Sequence, residues 1–151
     1  MYVAEIMTQD VLTISNDDPL RKAAMLICLH RISGLPVVDS EGNLVGIISE
    51  KDILKAIYPT EAEFSEDPSA HLDFQVMEER YRDVGRVKVN EVMTHAVVTV
   101  SPDTALLRAS SMMILNRIRR LPVVENGRLV GIISQGDIHQ ALFERYLLLA
   151  S

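Results

Sequence analysis

Two four-residue strings carry the most chemistry in this chain: Ser49-Glu50-Lys51-Asp52 and Ser134-Gln135-Gly136-Asp137. A serine followed three residues later by an acid suits a capping box, in which hydroxyl and carboxylate satisfy the free backbone N–H groups of a helix start. The same pair suits a ligand. A helix start attracts phosphate, but an Asp in the first turn repels it, and its oxygens instead accept hydrogen bonds from sugar hydroxyls. On the residues alone both readings stand. Arg119-Arg120 adds two guanidinium groups whose forked donors match phosphate oxygens; the alternative is a solvated basic turn beside Arg117.

Other candidates for chemistry are poorer. His30, His71, His95 and His139 have no Cys or acid at metal-ligand spacing, so surface or capping roles are expected and no metal. Cys28, within the apolar stretch Leu26 to Leu29, is expected to be a small core residue. There is no glycine-rich phosphate loop and no nucleophile with a paired base. An enzyme is not expected.

The elements that must position these groups are legible because the chain is written twice. Val3-Ala4-Glu5-Ile6-Met7-Thr8 returns as Val89-Asn90-Glu91-Val92-Met93-Thr94, and Leu35-Pro36-Val37-Val38 returns as Leu121-Pro122-Val123-Val124. Leu44 to Ser49 returns intact as Leu129 to Ser134, with one deletion at the turn around Ser40 to Gly42. A gap at a turn leaves strand registers intact. Each copy reads β-α-β-β-α. Val11 to Ile14 is strand-like, a helix starts after Asp17-Asp18-Pro19 and stops at Gly34, and Leu35 to Val38 and Leu44 to Ile48 form a hairpin. Glu50 to Ile57 is the closing helix. The second copy follows the same order, with Glu125-Asn126-Gly127-Arg128 at its turn. The expected domains are 1–58, an acidic linker 59–88, and 89–151 with a helical extension. Within the linker, His71 to Val84 has the spacing of an amphipathic helix packed on the outside.

Composition fits this plan. The 151 residues are 48% apolar but only 5% aromatic, an aliphatic core large enough to fold without staples. One cysteine and no recognisable leader suggest a reducing, cytoplasmic setting, and no apolar run is long enough to span a bilayer. The net charge of −6 argues against a nucleic-acid partner. Most of it sits between Tyr58 and Lys88, where eight acids face four bases.

Three blocks, in order and twice, make the sequence resemble a tandem pair of cystathionine-beta-synthase (CBS) domains, a Bateman module: the Val-x-x-x-Met-Thr type opening, Leu-Pro-Val-Val, and Gly-Ile-Ile-Ser-x-x-Asp. The resemblance implies an α/β fold of two β-α-β-β-α domains packed sheet to sheet about a pseudo-twofold axis. It also implies clefts that take adenine nucleotides (AMP, ADP, ATP) or related adenosyl ligands, with energy sensing as a regulatory role. Ser49, Asp52, Ser134 and Asp137 would contact ribose or phosphate, and Arg119 and Arg120 would face the phosphates. Ile32 and Pro36, with Ile118 and Pro122, would flank the base, and the strands through Thr13 and Thr99 would supply backbone hydrogen bonds. Ser33-Gly34, where the second copy has Arg119-Arg120, puts equivalence of the clefts in doubt. No cofactor is required; the nucleotide is a regulatory ligand. A homodimer and a regulated partner protein are expected. The competing reading is a ligand-independent dimerisation or interaction scaffold using the linker or the tail Leu142 to Ala150.

Overall fold

The structure, a computed structural model, describes residues 1–148, with only the backbone of His71. Its elements follow the doubled β-α-β-β-α order, each copy preceded by a one-turn helix. In the first copy these are α1 (Val3–Ile6), β1 (Ile14–Ser15), α2 (Leu20–His30), β2 (Gly34–Val38), β3 (Leu44–Ser49) and α3 (Glu50–Lys55). The linker carries α4 (Glu61–Glu66), a 3-10 turn at Ala70–Leu72 and α5 (Phe74–Val84). The second copy has α6 (Val89–Val92), α7 (Leu106–Asn116), β4 (Arg120–Glu125), β5 (Arg128–Ser134) and α8 (Gln135–Tyr146).

The repeated helices show why repeated sequence gives repeated structure. α2 buries Leu20, Ala23 and Ile27, and α7 buries the equivalent Leu106, Ala109 and Met113. Residues three, four and seven apart share one helix face. Cys28 follows Ile27 by a single residue, a rotation of about 100°, and is exposed, so it is not a core residue as its apolar neighbours suggest. Nor does Gly34 stop α2. The helix ends at Arg31 in the left-handed conformation (φ 51°), as α7 ends at Arg117 (φ 55°). Gly34 instead opens β2, where an added Cβ would lie 3.0 Å from the Ile48 carbonyl oxygen.

β1 pairs parallel with β2, which lies between β1 and β3. β4 and β5 pair antiparallel across Asn126-Gly127, both at positive φ (52° and 80°), the geometry a two-residue hairpin loop requires. The opening strands are shorter than Val11 to Ile14 suggests. Only Ile14 and Ser15 pair in the first copy, and in the second a single parallel bridge joins Val100 to Val123. The closing helix of the first copy likewise ends at Lys55, short of Ile57.

Two compact units result, and they are not contiguous in sequence. The first comprises Thr13–Ser40 and Val45–Val97; the second comprises Met1–Leu12, Glu41–Leu44 and the chain from Val98 onward. Each repeat's body therefore packs with the leading segment of the other repeat. The reason is burial. Val89 and Met93 complete the core around Leu20, Ile27, Leu35 and Ile48, whereas Val3 completes the core around Leu106, Met113, Leu121 and Ile133.

Each leader has a close seat on the glycine of the other repeat's last strand. Met93 Sδ and the Thr94 carbonyl lie where a Cβ on Gly46 would be, at 2.6 and 2.8 Å, and Met7 Sδ and the Thr8 carbonyl do the same at Gly131, at 2.7 and 3.0 Å. The glycine of the Gly-Ile-Ile-Ser block is thus the seat of the Met-Thr block.

The linker belongs to the first unit, where Met77 on α5 is buried. A cleft of about 220 Å³ lies between Tyr81, Val84 and Gly85 of this segment and Leu20, Ala24 and Ile53. The periodicity over 71–84 is borne out as helix for 74–84. Glu63 on α4 pairs with Arg80 on α5, and the guanidinium holds the Glu63 carboxyl below its ordinary value.

Candidate functional site

In the second unit, Ser134 ends β5 in extended backbone and caps α8. Asp137 N–H donates to Ser134 Oγ (3.0 Å), and Ser134 N–H donates to Asp137 Oδ2 (2.9 Å). Both halves of the capping box are present, so the serine and acid have a structural role whatever else they do. The backbone then brings the arginines alongside. Arg120 is the register partner of Ser134, and the Arg119 carbonyl accepts from Gln135 N–H at 2.9 Å. Both side chains are exposed, and among the described residues neither has an ion-pair or hydrogen-bond partner.

The first unit repeats the cap with different side-chain chemistry. Asp52 N–H donates to Ser49 Oγ (3.1 Å) and Ser49 N–H to Asp52 Oδ2 (2.9 Å), at the start of α3. Ser49 Oγ also lies 2.9 Å from Asp52 Oδ2, and Thr94 Oγ1 donates to Asp52 Oδ1 at 3.0 Å. Ser33 and Gly34 stand where the second unit has its arginines, and the Ser33 carbonyl accepts from Glu50 N–H at 2.9 Å. Thr94 is a site neighbour that the residue types did not single out. The available signal was its place at the end of the repeated Val-Asn-Glu-Val-Met-Thr block.

The apolar candidates divide. Ile32 and Ile118 are partly buried against their cores, and Thr13 and Thr99 are half-buried. Pro36 and Pro122 are buried in the strands and present no open wall. Thr99 lines an open cleft of about 530 Å³ with Tyr2, Ser101, Asp103 and Arg108, a cleft whose walls include none of Ser134, Asp137, Arg119 and Arg120. The structure therefore gathers Arg119, Arg120, Ser134 and Asp137, and in the first unit Ser33, Ser49, Asp52 and Thr94. It does not bring Thr99 or Pro122 into an open pocket with them.

His30, His95 and His139 are exposed, and no group of His, Cys, Asp and Glu able to hold a metal occurs among the described residues. No helix among them is long and apolar enough to cross a membrane.

A duplicated β-α-β-β-α unit, with a capped Ser-x-x-Asp after its last strand and a Met-Thr leader seated on the glycine of that strand, defines a CBS pair. The CBS domain model matches residues 3–59 and again 89–144, and the chain belongs to that family. It is 34% identical over 154 residues to the uncharacterized protein MJ1426 of Methanocaldococcus jannaschii, covering 94% of this chain and 91% of that one. The CBS domain-containing protein YhcV of Bacillus subtilis is 33% identical over 136 residues, covering 90% of this chain and 81% of its own. Among solved structures, CBSX2 in complex with AMP superposes with a TM-score of 0.72 at 27% identity, covering 95% of this chain and 97% of that one. These relatives are matched over most of their length.

Proposed function

We propose that this chain is a non-catalytic regulatory module that binds an adenine nucleotide (AMP, ADP or ATP) on its second unit and signals occupancy to a partner protein, as a homodimer. The observation that carries it is Arg119-Arg120, unpaired among the described residues, beside a capping box whose Asp137 engages only one carboxylate oxygen among them. Two exposed guanidinium groups supply donors for phosphate, and the remaining Asp137 oxygen is an acceptor for a ribose hydroxyl. Partly buried Ile118 offers an aliphatic contact for the base. The AMP complex of CBSX2 supports the class of ligand. Occupancy becomes a signal only where two arrangements of the protein bind the ligand with different affinity.

Calorimetric titration with AMP, ADP and ATP tests this. Saturable binding is expected, weakened about tenfold or more in Arg119→Ala/Arg120→Ala, since hydrogen bonds to charged groups are the stronger class. Absence of heat with all three nucleotides refutes it. The exposed apolar side chains of α7 (Leu107 at 60%, Ile114 at 67% and Leu115 at 81%) favour a second reading, a ligand-independent scaffold. That reading requires self-association in sedimentation runs that nucleotides leave unchanged. Its tail extends to Leu149 and Ala150, which lie outside the described residues.

A further inference from the structure

We infer that the two Ser-x-x-Asp sites are not equivalent: the second unit's is open to a phosphorylated nucleoside, whereas the first unit's is latched by Thr94, whose hydroxyl competes for the carboxylate oxygen a ribose would use. The inference rests on the proposed nucleotide reading and deepens it by fixing which site binds and which chemistry each accepts.

The two sites share a backbone, which isolates the difference to side chains. Thr94 N–H and Ile47 N–H exchange hydrogen bonds with each other's carbonyls at 2.8 and 2.9 Å, and Thr8 and Ile132 do the same at 2.9 and 2.9 Å. Both threonines therefore sit at the same place relative to their Ser-x-x-Asp. Yet Thr94 Oγ1 donates to Asp52 Oδ1, while Thr8 makes no hydrogen bond to Asp137 among the described residues. With Ser49 N–H and Oγ both on Oδ2, each Asp52 oxygen is engaged inside the protein; on Asp137 only Oδ2 is. A ribose hydroxyl meeting Asp52 Oδ1 must share that oxygen with Thr94 or displace it, and one meeting Asp137 Oδ1 competes with no side chain among the described residues.

The phosphate end differs in the same sense. Arg119 and Arg120 are exposed cations without partners among the described residues, and their counterparts Ser33 and Gly34 carry no charge. Gly34 is also sterically committed, since a Cβ there would lie 3.0 Å from the Ile48 carbonyl oxygen and 3.3 Å from Ser49 Cα. A phosphorylated ligand thus gains two guanidinium groups in one unit and none in the other. The first unit, where the only cation within the Ser49-Glu50-Lys51-Asp52 string is Lys51, is the better match for a nucleoside without phosphate.

Titration with AMP and with adenosine, read by calorimetric stoichiometry and by the methyl signals of Ile48 and Ile53 (first unit) and Ile133 and Ile138 (second unit), decides the matter. The expected result for AMP is one site per chain, perturbing the second unit's methyls and lost in Arg119→Ala/Arg120→Ala. Thr94→Val keeps the backbone bridge and removes the hydroxyl. It is expected to raise the first unit's affinity for adenosine roughly two- to tenfold, the net worth of one hydrogen bond, while Thr8→Val leaves that affinity unchanged. Two equal AMP sites in the unaltered chain, or no gain in Thr94→Val, overturn the inference and leave the nucleotide reading in place. No binding of AMP to either unit removes both.

Discussion

Replacing Gly46 with alanine tests the seating of the leader segments directly. The added Cβ would lie 2.6 Å from Met93 Sδ, 2.8 Å from the Thr94 carbonyl oxygen and 3.1 Å from Met93 Cγ. The sulfur belongs to a flexible side chain, but Met93 is only 7% exposed and packed in the first unit's core, so it has little room to swing away. The carbonyl is held still more firmly by the reciprocal hydrogen bonds between Thr94 and Ile47. Overpacking of this kind costs about 1–3 kcal/mol. Against it stands about 0.4–1 kcal/mol gained by stiffening the unfolded chain. A net loss of about 1–2 kcal/mol, in a chain of this size, lowers Tm by about 2–8 °C. Gly136→Ala is the control. Its Cβ meets nothing nearer than Ser134 Oγ at 3.7 Å, and it lies within α8, where alanine is favoured over glycine by about 0.5–1 kcal/mol. Thermal and urea unfolding of both variants against the parent would show opposite signs. A Gly46→Ala protein as stable as the parent would refute the seating and, with it, the reason given for that glycine.

Two further outcomes follow from the caps and the linker. Ser134→Ala removes the side chain that accepts from Asp137 N–H, so stability should fall by about 1 kcal/mol in urea titration, in the range usual for lost N-caps. Glu63 has its carboxyl held below the ordinary value of 4.5, chiefly by its hydrogen bond from Arg80, so the folded form is favoured above that pH and the contribution fades as pH falls through the lowered value. The protection of α4 amides against hydrogen exchange, relative to their intrinsic rates, should therefore fall on acidification below pH 4.5, and Glu63→Gln should abolish that fall.

The fold was legible because repetition and period are local properties. Leu20, Ala23 and Ile27 announce a helix face in one copy and Leu106, Ala109 and Met113 announce it again, and both are found. The capping boxes were equally legible, since serine and acid three residues apart need only their own helix. Partnership of the leaders was not. Val3 to Thr8 and Val89 to Thr94 are near copies, so either could complement either body, and only burial of Val3 with Leu106 and of Val89 with Leu20 distinguishes the outcomes. The Thr94 to Asp52 hydrogen bond spans 42 positions and depends on a rotamer. No pattern in the sequence encodes it. Pro36 and Pro122 illustrate a related point: a residue type suited to an apolar wall is equally suited to the interior of the sheet, where both are buried.

Exchange of the leaders also explains how two repeats of one plan can carry sites of different character. Each Ser-x-x-Asp is flanked by a strand start from its own repeat and a Met-Thr turn from the other. The first unit's site therefore reads Ser33 and Gly34 from repeat one and Thr94 from repeat two, and the second unit's reads Arg119 and Arg120 from repeat two and Thr8 from repeat one. A substitution in either repeat alters one unit through its body and the other through its leader. The linker enters the same circuit, because the leader that ends in Thr94 follows directly from α5, and its start is tied to the first unit by hydrogen bonds from Leu20 N–H to the Val87 carbonyl and from Val89 N–H to the Asp18 carbonyl, at 2.8 and 2.9 Å. Those bonds anchor the segment ahead of α6, while Met93 on Gly46 anchors the segment behind it. Thr94 is thus held at both ends of its leader, which is what allows a single exposed hydroxyl to stay in register with Asp52.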